Sequence, residues 1–338
     1  MNQSQPSPAR DLKIDAIKGL FVAGMVWSHV MGYLGLRESR LVDGVWNIFA
    51  LVTFSGFIFC MGYVVQTSYI LYDSPPVRIL LRSVWRTLIG YYVAAFGFFL
   101  IFRGEFDRDT FFSILVLQRF GSISEFLLAF ALIPVVTIFL TWPIKKLLRS
   151  PDWVFFVVVF LLLLTTFLPT DWVHSTYLGL FVGGPQGSIY YPVLQYYVFF
   201  LLGIFYASRN VTVGTRHLLA GILALAAFVA ALESDLVFSR FPPSLGWVLF
   251  GAAGFFVWYW VAERLVRWPT AATILVPVGA NSLFFFVISD LLIFGISKTI
   301  KGQLGVPSGT LLAFLLLAVI YAMMEMVRPL ERLRPRNR

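Results

Sequence analysis

The sequence predicts an all-α integral membrane protein, built as a single bundle of about ten transmembrane helices. Of its 338 residues, 59% are hydrophobic and only 13% are charged, and long apolar runs recur along the chain. Soluble domains carry about 25% charged residues. A chain with half that fraction cannot surround its apolar residues with a solvated surface, which excludes a soluble globular enzyme and a disordered chain.

The predicted spans follow from the length of the apolar runs, since a helix needs roughly 20 apolar residues to cross the hydrocarbon layer. The fourth run is too long for one simple crossing and contains a break at Gly121-Ser122, which predicts a kinked or partly re-entrant segment. The first run is too long for a secretory signal and no cleavage site follows it, so we interpret it as a permanent span. The ten runs lie near residues 16–36, 45–72, 80–102, 111–141, 153–169, 189–208, 216–233, 245–262, 273–297 and 309–327.

The basic residues are unevenly divided between alternate loops. If the N-terminus is cytoplasmic, most of the 26 lysines and arginines fall in inner segments, as the positive-inside rule requires. We therefore expect one transmembrane domain over residues 1–338 in the cell (inner) membrane, with both termini cytoplasmic. Residues 1–14 form the N-terminal tail, and residues 328–338 form a basic C-terminal tail that touches anionic lipid headgroups.

Composition also limits the possible partners and cofactors. The net charge of +9 is spread over short loops, so we expect membrane lipids and no nucleic acid as partners. The single cysteine, Cys60, excludes an intrachain disulfide. Together with only three histidines, it leaves little material for a metal cluster, and we expect no metal site.

The first predicted span carries ionisable residues on one face, and such residues in a bilayer indicate function. His29 follows Lys18 by eleven residues, which places both on one helix face about 16 Å apart along the axis. Asp15 continues this face toward the N-terminus. Histidine accepts and releases protons near neutrality, so we interpret His29 as a catalytic base and include Asp15 in the catalytic set. The alternative is a histidine that only bridges helices, with Lys18 at the lipid interface.

Three arginines recur every four residues at the start of the third span. Arg78, Arg82 and Arg86 would form a row about 12 Å long at the inner face of the membrane. Guanidinium groups pair well with phosphates, so the row is a candidate site for a phosphorylated cosubstrate. Positive-inside topology explains Arg78 equally well, but it explains the deeper Arg86 less well.

Further ionisable residues fall in later runs. Glu125 follows Ser122 by three residues in LQRFGSISEF, a spacing typical of a capping box at a helix N-terminus. Arg119 then remains an uncompensated charge that needs a partner or an anionic ligand. Asp290 and Glu325 lie in the ninth and tenth runs, and either one could pair with Arg119 or orient His29.

Several segments resemble the multi-span membrane acyltransferases of the acyltransferase type 3 and heparan-α-glucosaminide N-acetyltransferase group. LKIDAIKGLFVAGMVWSHV resembles their first helix, which has an acid, then Arg-Gly, then a histidine eleven residues after the arginine. FSGFIFCMGYVV, RSVWRTLIGYY and ILVLQRFGSISEFLLAF are similar to their next elements. YYPVLQYYVFFLLGIFY, RFPPSLGWVLF and GANSLFFFVISDLLIF resemble later ones. The segments occur in the family's order and cover most of the chain.

The resemblance implies an enzyme that takes an acyl group, with acetyl the expected group, from cytoplasmic acyl-CoA and passes it to a hydroxyl or amine of an envelope glycan or related molecule. It implies that His29 is the base and that Lys18, Arg82 and Arg86 bind the phosphates of acetyl-CoA. Ser55 and Gly56 would allow close helix approach or line the donor tunnel.

Three departures from the family pattern concern the expected donor and acceptor sites. Lys18 stands where an arginine is usual, Arg82 and Arg86 are four residues apart where relatives often show three, and Ser289 replaces an expected histidine beside Asp290. A transporter or flippase of an organic anion is the main alternative, although no internal repeat supports it. A catalytically inactive protein of acyltransferase descent is a third.

Overall fold

The computed structural model describes residues 11–35, 39–185, 189–234, 236, 238–240, 243–300 and 303–332. This part of the chain is α-helical and contains no β-strand, which confirms the predicted fold class. Most of the two predicted tails lies outside the described residues. The helices are α1 (Leu12–Tyr33), α2 (Arg40–Val65), α3 (Val77–Gly97), α4 (Arg108–Leu115), α5 (Phe126–Leu147), α6 (Pro151–Phe167), α7 (Thr176–Val182), α8 (Val193–Arg209), α9 (Thr215–Glu233), α10 (Leu245–Leu265), α11 (Pro269–Ala280), α12 (Ser282–Thr299) and α13 (Val306–Arg332).

Eight of these helices are long and apolar enough to cross a membrane: α1, α2, α3, α5, α9, α10, α12 and α13. α6 and α8 have 17 residues each, at the short end of the range for a span. Short π-helical turns extend α2 over Gln66–Ile70 and α3 over Phe98–Arg103. α4, α7 and α11 are too short to cross alone.

The structure divides two of the predicted apolar runs. In the fourth run, α4 ends at Leu115 and α5 begins at Phe126, with a 3-10 turn between Ser122 and Glu125. The break predicted near Gly121 is therefore present. The ninth run was predicted as one span, and this is wrong: Asn281 leaves helical geometry between α11 and α12, and its side-chain amide caps the α11 carbonyl of Pro277 at 2.9 Å.

Glycines bring several helix pairs into backbone contact, as is common in membrane bundles. A Cβ atom added at Gly62 on α2 would collide with the carbonyl oxygen of Phe200 on α8, and one at Gly279 on α11 would collide with that of Asp15 on α1. The α1–α11 and α2–α8 pairs consequently pack without intervening side chains.

Helix α1 lies at the centre of the bundle, where it packs against α2, α10, α11, α12 and α13. In an apolar stretch of 18 residues of α1, 67% is buried inside the protein, whereas in the corresponding stretch of α9 only 11% is buried. Side chains of α1 therefore face neighbouring helices, whereas most of α9 is left for lipid. His29 lies on this central helix.

Candidate functional site

A histidine and a carboxylate meet in the interior of the bundle. His29 on α1 and Asp290 on α12 are 261 positions apart, and His29 Nδ1 lies 2.9 Å from Asp290 Oδ1. The Asp290 side chain is 1% exposed and that of His29 16% exposed. The Asp290 carboxylate accepts a hydrogen bond from the Nδ1–H group, which favours the imidazole tautomer that has a basic Nε2. Asp290 is therefore the residue that orients His29, and its other oxygen, Oδ2, has no hydrogen-bond partner among the described residues.

The neighbours of His29 hold this part of α1 in place. The indole of Trp27 donates a hydrogen bond to Thr310 Oγ1 on α13 at 3.1 Å. The indole of Trp46 on α2 donates to the carbonyl oxygen of Ser28 at 3.2 Å. Two interhelical hydrogen bonds thus tie consecutive residues of α1 to different helices, and they restrict the position of His29, which follows directly.

His29 lines a cavity of about 260 Å³ between α1, α2 and the start of α5, which we call the His29 cavity. Because Nδ1 is engaged by Asp290, Nε2 is the ring nitrogen left for a molecule in the cavity. The hydroxyl oxygens of Ser28 and Thr53 also belong to lining residues and have no hydrogen-bond partner in the described part of the chain. The aromatic part of the lining consists of Tyr33, Trp46, Phe49, Phe54, Phe57, Phe126 and Tyr191.

Glu125 supports the wall of the His29 cavity, and the capping-box interpretation of this residue is wrong. Its carboxylate does not cap α5. It accepts hydrogen bonds from the backbone N–H groups of Tyr190 at 2.7 Å and Tyr191 at 3.2 Å. Both donors belong to the loop before α8, so the Glu125 carboxylate joins this loop to the start of α5. Burial raises the pKa of Glu125 to about 7, while the two N–H groups act in the opposite direction.

Arg240 is a lining residue that the sequence reasoning did not select. It precedes α10, and its guanidinium lies 5.6 Å from the ring centre of Trp46 and 6.0 Å from that of Trp247. It also forms a hydrogen bond with the side chain of Tyr191. In the sequence it resembles every other arginine in a short loop, so nothing local distinguishes it.

Asp15 and Lys18 form a separate ion pair near the other end of α1. Lys18 Nζ lies 2.7 Å from Asp15 Oδ1, and their side chains are 19% and 5% exposed. The structure does not bring Asp15 to His29, which follows it by almost four helical turns. Phe21, fully buried between them, packs against Phe57 of the cavity lining at 5.4 Å. An apolar layer therefore lies between Lys18 and the His29 cavity.

The arginine row forms as predicted on one face of α3, but this face is exposed. Arg78, Arg82 and Arg86 are all exposed, and Trp85 and Ile89 beside them are 66% and 59% exposed. None of the three arginines lines the His29 cavity. The arginine row is thus accessible from outside the bundle, and it is separate from the His29 imidazole.

Arg119 was expected to be uncompensated, and this is wrong. Its guanidinium lies 3.7 Å from Glu105 Oε2 and donates a hydrogen bond to Thr110 Oγ1 at 2.7 Å. It also stacks over the ring of Phe99 at 4.5 Å. The chain leaves helical geometry after α4, which turns this side chain toward the end of α3 with 44% of it exposed. Arg119 pairs with neither Asp290 nor His29.

The two serines singled out from the sequence both bond to their own helices. Ser55 donates to the carbonyl oxygen of Leu51 at 2.9 Å and lines a second cavity, of about 220 Å³, between α2, α8 and α10. Ser289 donates to the carbonyl oxygen of Phe286 at 2.9 Å. Beside Ser289, Asp290 is the residue of α12 that reaches His29. Glu325 is half-buried on α13.

Comparison with known families agrees with this geometry. Residues 11–325 match the family model described as "Acyltransferase domain", that of the acyltransferase 3 family. The match covers nearly the entire chain and includes every helix that lines the His29 cavity. A search of curated proteins found no match. The match confirms the family resemblance and does not favour the transporter interpretation.

Proposed function

Because the chain belongs to the acyltransferase 3 family of multi-span membrane acyltransferases, we propose that it transfers an acyl group, acetyl in the simplest case, from cytoplasmic acyl-CoA to a hydroxyl or amine of an envelope saccharide. The observation that carries this proposal is the His29–Asp290 hydrogen bond beside the cavity. A histidine with one ring nitrogen held by a buried carboxylate is well suited to act as a general base.

In the proposed reaction, His29 Nε2 removes the proton from the O–H or N–H group of the acceptor. At the same time, the acceptor oxygen or nitrogen attacks the thioester carbonyl carbon. The C–S bond then breaks, the coenzyme leaves as a thiolate, and the imidazolium returns its proton to the sulfur. Asp290 stabilises the imidazolium between these steps. The hydroxyls of Ser28 and Thr53 are suited to donate hydrogen bonds to the oxyanion, since they belong to the lining and are unpartnered among the described residues.

For the donor, we propose that Arg82 and Arg86 bind the phosphates of acetyl-CoA and that Lys18 contributes a further cation. The arginine row is exposed at the surface of the bundle, so a large anion can contact it without entering the bundle. Lys18 already neutralises Asp15, so its net attraction for phosphate is smaller than that of the arginines. To approach His29, the acyl group must pass the apolar layer of Phe21 and Phe57. We propose no role in donor binding for Arg119, which is engaged by Glu105 and Thr110.

The test is acetyl transfer from radiolabelled acetyl-CoA in proteoliposomes that contain glucosamine and methyl β-D-glucoside as acceptors. His29→Ala should lower the rate by about 10²- to 10⁴-fold, the usual contribution of a general base. His174→Ala is the matched control, because His174 is exposed and lies outside the cavity; it should transfer at the wild-type rate. Equal rates for wild type and His29→Ala would remove the proposed base.

A further inference from the structure

The His29 cavity contains a cation that the proposed reaction does not use. Among the described residues that line this cavity, Arg240 carries a formal positive charge and none carries a carboxylate. Asp290 lies behind the imidazole and is not part of the lining. A molecule in the cavity is therefore close to a positive charge. The His29 ring separates this molecule from the Asp290 carboxylate.

Three aromatic residues fix the position of this cation. Arg240 lies over Trp46 and Trp247 and forms a hydrogen bond with Tyr191. Tyr191 is placed by the two backbone hydrogen bonds to Glu125. The five N–H donors of a guanidinium lie in the plane of the group, and their fork geometry matches a carboxylate or phosphate. Little rotamer freedom is left to lose when an anion binds.

The remaining walls suit the body of a sugar. Trp46, Phe54 and Tyr191 offer aromatic faces in the same cavity, against which the C–H face of a pyranose ring can pack. His29 lies on the same lining, so one bound molecule can place an anionic group at Arg240 and a nucleophilic hydroxyl at the imidazole.

We propose that Arg240 determines acceptor specificity, and that the acceptor is a saccharide bearing a carboxylate or a phosphate. The proposal names the acceptor class of the proposed acyl transfer and rests on it for its biological meaning. The binding itself is independent of catalysis and can be measured without an acyl donor.

The experiment uses the full-length protein in detergent and measures the thermal unfolding midpoint against probe concentration, which gives an apparent Kd. Methyl β-D-glucuronide and methyl β-D-glucoside differ in the carboxylate, and glucose 6-phosphate tests a phosphate. Wild type should bind the glucuronide at least about tenfold more tightly than the glucoside. Arg240→Gln should lose this preference, Arg240→Lys should retain part of it, and His29→Ala should retain all of it.

Arg103→Gln is the matched control, because Arg103 also stacks on an aromatic ring, that of Phe98 at 5.9 Å, yet does not line the cavity. It should keep the wild-type preference. The proposal is overturned if wild type shows no preference for either anionic sugar, or if Arg240→Gln keeps it. If Arg240→Gln does not fold, Arg240→Lys decides, since an unchanged preference there would exclude recognition by the guanidinium fork. If the wild type binds the glucuronide but transfers no acetyl group, the proposed function alone is contradicted.

Discussion

The two ends of α1 carry similar residues in different surroundings. At one end, His29 is paired with Asp290 across two helices, and both belong to a closely packed interior. At the other end, Lys18 pairs with Asp15 of its own helix, and the arginine row on α3 is exposed. In the interior, helix packing places one partner beside the ionisable side chain. The exposed arginines of α3, by contrast, can be contacted by an anion from outside the bundle. The first arrangement suits a chemical step, and the second suits binding of a mobile, charged cosubstrate.

The largest change in rate is expected from a substitution in the buried His29–Asp290 pair. Asp290→Asn keeps the size of the side chain but removes the charge that stabilises the imidazolium and fixes the tautomer. The rate constant for acetyl transfer should fall about 10²-fold, within the range of general-base catalysis, and the KM for acetyl-CoA should stay near the wild-type value. Steady-state kinetics in proteoliposomes measures both constants.

A double-mutant cycle tests whether Asp290 acts through His29. If it does, His29→Ala/Asp290→Asn should be no slower than His29→Ala alone, because residues that act as a unit are not additive. Additive losses would mean that Asp290 contributes by a different route, for example by stabilising the contact between α1 and α12.

The exposed end should show the opposite kinetic pattern. Arg86→Gln removes one cation from the row, so the KM for acetyl-CoA should rise about tenfold, or ~1.4 kcal/mol, with an unchanged rate constant. The difference should shrink at high ionic strength, because exposed charges are screened. Arg78→Gln is the control at the start of the helix and should have a smaller effect. An unchanged KM in Arg86→Gln would exclude Arg86 from donor binding and would indicate that the arginine row binds lipid headgroups.

The same contrast explains how much the sequence could predict. The apolar runs and the spacing of His29 and Lys18 are local features, and they predicted the fold class and a first span with ionisable residues on one face. The partner of His29 was left open between Asp290 and Glu325, because no local pattern fixes the register between helices 261 positions apart. Glu125 was misinterpreted for the same reason: its capping-box spacing is local, while its hydrogen-bond donors come 65 and 66 positions later.

Arg240 shows the limit of reasoning from a charge count. Topology accounts for most loop arginines, so a single one with a specific role is not recognisable until the loop is placed over the cavity.

Breaks in helices are a second limit. Gly121 predicted the interruption before α5, whereas the Asn281 break within the ninth run carries a weak signal, because asparagine is tolerated inside many helices.

The last prediction concerns the stability of the protein and not its kinetics, and it rests on Glu125, which lies outside the spanning helices, just before α5. Its pKa is raised from 4.5 to about 7 by burial, so the folded protein binds a proton that the unfolded chain releases between these two values. Stability should therefore fall as the pH rises through that window, by an amount on the order of 3 kcal/mol, and level off above it.

Glu125→Gln still accepts hydrogen bonds from Tyr190 and Tyr191 but does not titrate, so its unfolding midpoint should depend less on pH between about 5 and 8. Glu105→Gln, which removes a carboxylate that is 63% exposed, should keep the wild-type dependence. If Glu125→Gln follows the wild-type curve, the buried carboxyl is not the group that titrates, and the wall of the His29 cavity is insensitive to its ionisation.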